Sequence, residues 1–102
     1  MKEPSAVKIK TIRRQILTTL NIVCPTALTI RTIYYNVISA VDPTYDEGLC
    51  KKDIWYLKEK GYIEFVDDMI GGTSEFIHRV ITLTARGKEI AEKTQFDPAL
   101  EI

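Results

Sequence analysis

Lys51 and Lys52 stand side by side, and Trp55 and Tyr56 follow them at helical spacing. This is binding chemistry. Lysine ammonium groups neutralise phosphates or reach guanine acceptors, and a tyrosine hydroxyl can bond a phosphate oxygen. An indole ring on an exposed face either packs against its own chain or anchors a partner. A second basic run, Lys8, Lys10, Arg13 and Arg14, lies near the start, with Arg31 further on. Residues 1–40 carry six Lys or Arg against one Glu, whereas residues 41–102 carry eight against thirteen Asp or Glu. The formal net charge of zero is therefore a sum of a basic part and an acidic part. Such asymmetry hints at a charged contact surface.

Residue types for catalysis are few. The single histidine, His78, has no Ser/His/Asp or Cys/His arrangement around it, and no phosphate-binding loop occurs. Cys24 and Cys50 are too few for a disulfide framework or a zinc site and read as core thiols. The expectation is no enzyme, no catalytic residue, no metal, no cofactor and no small-molecule substrate.

The elements that must position these residues are legible. The chain has 102 residues, 45% of them hydrophobic, which suits one small domain with its own core. No apolar run approaches the roughly 20 residues of a membrane span, so no membrane contact and a cytoplasmic location are expected. Ile9, Ile12, Ile16, Leu20 and Val23 recur at helical spacing, with Leu17 widening the stripe, so the spacing predicts a helix near 7–22. Arg14 falls on its outer face, and Arg13 near the buried edge. Cys24-Pro25 stops it. Ala27-Leu28-Thr29 reads as extended. Ile30, Ile33, Tyr34, Val37, Ile38 and Val41 predict a second helix, broken by Asp42-Pro43. Thr44-Tyr45-Asp46-Glu47 matches a capping box, with Thr44 as the cap. The third helix, 45–60, buries Cys50, Ile54 and Leu57 and ends at a left-handed Gly61. Its outward face then holds Lys52, Trp55, Tyr56 and Glu59, with Lys51 and Lys58 on one flank. Strands are predicted at 62–66 and 76–83, with a hairpin turn at Gly71-Gly72. Thr84 caps a last helix near 85–95. The single domain spans 7–95, with flexible ends at 1–6 and 97–102.

This α+β order resembles the winged helix-turn-helix family: a three-helix core, a two-stranded wing hairpin and a C-terminal helix. Two stretches carry the likeness. Residues 50–63, CKKDIWYLKEKGYI, look like a recognition helix followed by Gly-aromatic-Ile. Residues 81–90, ITLTARGKEI, look like the LTxxGxxh junction between wing and closing helix in MarR-type and PadR-type regulators. The resemblance implies a small DNA-binding transcriptional regulator, of the kind common on phages and mobile elements. Its third helix would read the major groove of double-stranded DNA, and it would act as a homodimer. The residues implied in DNA binding are Lys51, Lys52, Tyr56, Thr44, Tyr45, Arg14, Arg31 and Lys10. The wing, flanked by Asp67, Asp68 and Glu75, is the least favourable phosphate contact despite His78 and Arg79. The alternative is a protein-interaction module whose contact surface is Trp55, Tyr56 and Tyr35. Function belongs to the site and not to the fold.

Overall fold

Four isoleucines and leucines set the inner stripe of the first helix. In α1 (Ala6–Val23) the side chains of Ile12, Ile16, Leu17 and Leu20 are completely buried. Each buries enough apolar surface to contribute about 1.5–3 kcal/mol against leaving it in water. The computed structural model describes residues 6–66 and 76–92. After α1 come β1 (Leu28–Thr29) and a helix α2 over 30–41. Then follow α3 (Glu47–Glu59), β2 (Ile63–Phe65), a 3₁₀ turn (Phe76–His78), β3 (Val80–Leu83) and α4 (Ala85–Ala91). The result is a compact mixed α+β domain with several helices around a small antiparallel sheet. The Gly71-Gly72 turn, the far end of the last helix and both chain ends lie outside the described residues.

The sheet has the order β1-β3-β2, all antiparallel. Leu28 pairs with Ile81 and Thr29 with Val80 on one side of β3. Ile63 pairs with Leu83 and Phe65 with Ile81 on the other. The central strand alternates, with Ile81 and Leu83 buried, which is the period-two signal of a half-buried strand. Sequence periodicity marked 27–29 as extended, and pairing with β3 makes it a strand.

Three details depart from the sequence reading. First, α2 is not uniform. It opens with one α turn (Ile30–Ile33), continues as a π-helix (Tyr34–Ile38) and closes with Ser39–Val41. The Ser39 amide bonds the Tyr34 carbonyl, and the Ser39 hydroxyl donates to the same oxygen at 3.0 Å. Positions five apart in an α-helix are turned about 140° from each other. Ile33 and Ile38, five apart across the π segment, are both fully buried. Second, Thr44 does not cap α3. Its backbone N–H and hydroxyl both donate to Asp42 Oδ1, at 3.0 and 2.7 Å. The Thr44 hydroxyl, then its amide, hold the Asp42 carboxyl below the usual carboxylate range, against a smaller upward push from burial. Lys8 adds an ion pair to Asp42 at 3.5 Å. Asp46 takes the cap position, accepting from the Gly48 amide, so α3 starts at Glu47. Third, residues 76–83 are not one strand. The Arg79 amide bonds the Phe76 carbonyl at 3.1 Å, and this 3₁₀ closure leaves Phe76 and Ile77 both packed against the core. A strand would have sent them to opposite faces.

Both glycine and threonine punctuation at the far end of α3 is as the sequence reads. Gly61 has φ +80°, its amide bonds the Lys58 carbonyl at 2.9 Å, and the Tyr62 amide bonds the Leu57 carbonyl at 3.0 Å. Those two bonds are the Schellman pattern. Thr84 accepts from the Gly87 amide at 3.0 Å and so caps α4.

Candidate interaction surface

One helix carries the site, and its rotation about its own axis is fixed from inside. Cys50, Ile54 and Leu57 are buried as their spacing predicts, and Asp53 lies among them at 2% exposure. The Arg13 Nε of α1 donates to Asp53 Oδ1 at 2.9 Å, and the Tyr45 hydroxyl donates to Asp53 Oδ2. Burial raises the Asp53 carboxyl above the usual carboxylate range, and the Tyr45 and Arg13 bonds offset part of that rise. Burial also raises the Tyr45 phenol, helped by its bond to Asp53. The Cys50 thiol is pushed up to about 12 by burial first, then by Asp53 and Glu47, so it stays protonated at neutral pH. The loop before α3 is pinned as well, because the Tyr34 hydroxyl donates to the Tyr45 carbonyl at 2.5 Å.

With the inner face fixed, the outer face follows from 100° steps. Lys51, Lys52, Lys58 and Glu59 are exposed, and Trp55 is 37% exposed. The Trp55 ring sits 5.4 Å from Phe65 of β2 at 62°, and 6.2 Å from Phe76 of the 3₁₀ turn at 27°. Phe65 and Phe76 meet at 6.4 Å. Three elements thus deliver three rings to one cluster, with edge-to-face and stacked pairs at favourable separations. Cations rim the cluster. Lys51 Nζ lies 5.4 Å from the Phe76 ring centre, Lys58 Nζ 5.9 Å from that of Phe65, and the Arg79 guanidinium carbon 3.8 Å from the same Phe65 ring centre. Beside the rings, Gly48, Lys51, Lys52, Trp55, Tyr56 and Glu59 line an open hollow of about 470 Å³.

The structure thus gathers Lys51, Lys52, Trp55 and Tyr56 around one hollow. Tyr56 is half-buried, because Arg13 reaches across and lays its guanidinium 3.9 Å from the ring centre. Arg31 and Tyr35 are exposed together on α2, 5.6 Å apart. Lys10 and Arg14 lie on α1 and are half-buried, where the helical wheel put Arg14 outward. Thr44 is exposed but held by Asp42. Tyr45 is a core side chain at 3% exposure, its hydroxyl turned to Asp53 and away from any surface ligand. The sequence reading offered Trp55 a place under the Tyr45 loop, and its ring neighbours are Phe65 and Phe76 instead.

Sequence reasoning missed three contributors. Phe65 and Phe76 flank the predicted wing, and that symmetry around a hairpin was their only signal. Asp53 had a clearer one. It sits three residues after Cys50 and four before Leu57, so helical spacing puts it on the apolar stripe. Among the described residues, no group of three His, Cys, Asp or Glu side chains can hold a metal ion. Among them, too, no helix is long and apolar enough to cross a membrane. No protein-family model, no curated protein and no solved structure matches the chain.

Proposed function

We propose that the chain is a winged-helix protein-interaction module that docks its partner on the outer face of α3. Support for the winged-helix part comes from the order helix, short strand, two helices, two strands, helix, with β3 between β1 and β2. The observation that carries the docking reading is the cluster of Trp55, Phe65 and Phe76, with Trp55 partly exposed beside an open hollow. Interface cores are enriched in aromatic side chains, and those in pockets dominate binding energy. Rings already held against one another lose little freedom on association.

Trp55→Ala tests this. The substitution is expected to lower affinity for a captured partner by about 30-fold or more, the loss of about 2 kcal/mol typical of an anchoring tryptophan. Affinity capture with wild type and variant, each checked by thermal unfolding, reads the outcome. Partners retained equally by a folded variant would overturn the reading.

A DNA-binding reading has support of its own. Lys51 and Lys52 are exposed side by side on α3, and Arg31 is exposed on α2. A duplex would take these cations on its phosphates, and a homodimer would span two half-sites. Lys52→Ala should then weaken duplex binding by about a kcal/mol and reduce its salt slope by about 1. Gel shifts over a salt series measure both, and no shift at low salt removes this reading.

A further inference from the structure

Resting on the interaction reading, we infer that the partner presents an acidic segment. An apolar side chain of that segment would seat on Trp55, Phe65 and Phe76, between two carboxylates about 10 Å apart.

The spacing comes from α3. Lys51 and Lys58 are seven residues apart, so they lie on one flank of the helix, separated by about 10 Å of rise. Both are exposed, and each stands over a different ring of the cluster, Lys51 over Phe76 and Lys58 over Phe65. Trp55 lies between them along the helix and contacts both rings. The order along this flank is therefore cation, apolar platform, cation. A complementary partner carries carboxylate, apolar side chain, carboxylate. Two turns of a partner helix, positions i, i+3 or i+4, and i+7, supply that span. The other flank sets the direction. Lys52 and Glu59 also stand seven apart and line the hollow. An antiparallel or parallel partner would be favoured according to where it meets Glu59 with a neutral or basic residue.

The lysines are suited to this role. A cation over a ring keeps its outward N–H groups for a carboxylate, and the ring restrains the long side chain before the partner arrives. A basic partner segment would meet like charge at both ends of the platform, which gives discrimination as well as attraction.

The sequence contains one tryptophan, so emission from Trp55 reports the site directly. The probe is a helix-forming, tryptophan-free peptide with Glu at i and i+7 and Leu at i+4, compared with its Gln and Lys counterparts. The Glu peptide is expected to shift Trp55 emission saturably, at least tenfold tighter than the Lys peptide, and to weaken about tenfold between low and high salt. In the Lys51→Glu/Lys58→Glu protein the preference should invert toward the Lys peptide. Both substitutions lie on exposed sites, and an unchanged unfolding midpoint confirms that the variant folds. Equal binding of all three peptides, or no saturable change with the Glu peptide, overturns the inference. If captured partners still depend on Trp55 but not on Lys51 and Lys58, the acidic segment fails while the interaction module stands. If nothing depends on Trp55, both fail. A DNA duplex that quenches Trp55 where the Glu peptide does not overturns both in favour of nucleic acid.

Discussion

Gly87→Ala is expected to destabilise the domain by about 3 kcal/mol or more, the upper end for overpacking and a large share of what a chain this size has to lose. A Cβ at this position would lie 2.0 Å from the Tyr62 carbonyl oxygen and 2.8 Å from both the Tyr62 carbonyl carbon and Leu83 Cδ1. Two of those three atoms are backbone and cannot rotate aside. α4 cannot slide away cheaply either. The Thr84 amide donates to the same Tyr62 oxygen at 3.0 Å, and the Thr84 hydroxyl donates to the Gly61 carbonyl at 2.5 Å. Relief of the clash means breaking these bonds, each worth about 1 kcal/mol, and uncovering Ile90, which is 1% exposed. Urea unfolding of the variant measures the loss. A midpoint within about 0.5 kcal/mol of wild type, the usual range of a harmless surface change, would contradict this account of the α4 contact.

Asp53→Ala is expected to cost about 3 kcal/mol, the lower end of the range for removing one partner of a buried pair. The loss comes less from the Coulomb energy of the pair than from the donors left behind. The Tyr45 hydroxyl and the Arg13 Nε would both lose their acceptor in an apolar setting. Arg13 is 19% exposed in its side chain and can recover some water, which holds the cost down. Asp53→Asn keeps an acceptor and should lose less. The two forms also differ with pH. The folded state raises the Asp53 pKa, so it holds the proton more tightly than the unfolded chain does. The stability this gives is fully present below the unfolded value of about 4 and is lost as pH rises through the raised value. Asn has no such dependence. The stability advantage of wild type over Asp53→Asn should therefore shrink as pH rises across that window. Paired unfolding curves at several pH values test it, and a gap that widens with pH would reverse the sign assigned here.

Much of the fold was open to sequence reasoning because its signals are local. The stripe Ile12, Ile16 and Leu20, the stop at Cys24-Pro25, the left-handed Gly61 and the Thr84 cap each depend on neighbours within about two turns. The LTxxGxxh stretch now has a physical reading at every marked position. Leu83 and Ile90 are buried, Thr84 caps, and Gly87 lets the helix touch the β2 entry. What stayed hidden was decided at a distance. Thr44 matches a capping box, but Asp42 sits two residues back and takes its hydroxyl first. The α spacing of Tyr34, Val37 and Ile38 carries no mark of the π turn over Tyr34–Ile38. Tyr45 reads as a DNA contact and Arg13 as a residue near the buried edge, and nothing local marks that Asp53 of α3 gives both a buried acceptor. For the candidate site, the α3 residues were legible from 100° steps. Phe65 and Phe76 were not, since only tertiary folding brings β2 and the 3₁₀ turn to Trp55.

The middle strand of the sheet also bears on how this chain can assemble. β3 pairs on one side with β2, its near neighbour, and on the other with Leu28 and Thr29, more than fifty residues earlier. Closing so long a loop costs chain entropy before any contact repays it. The reward is two paired residues and the bond from the Ile30 amide to the Arg79 carbonyl at 2.9 Å. Helices are built from local contacts and close at little cost, whereas this short seam is the long-range pairing that raises the contact order of the fold.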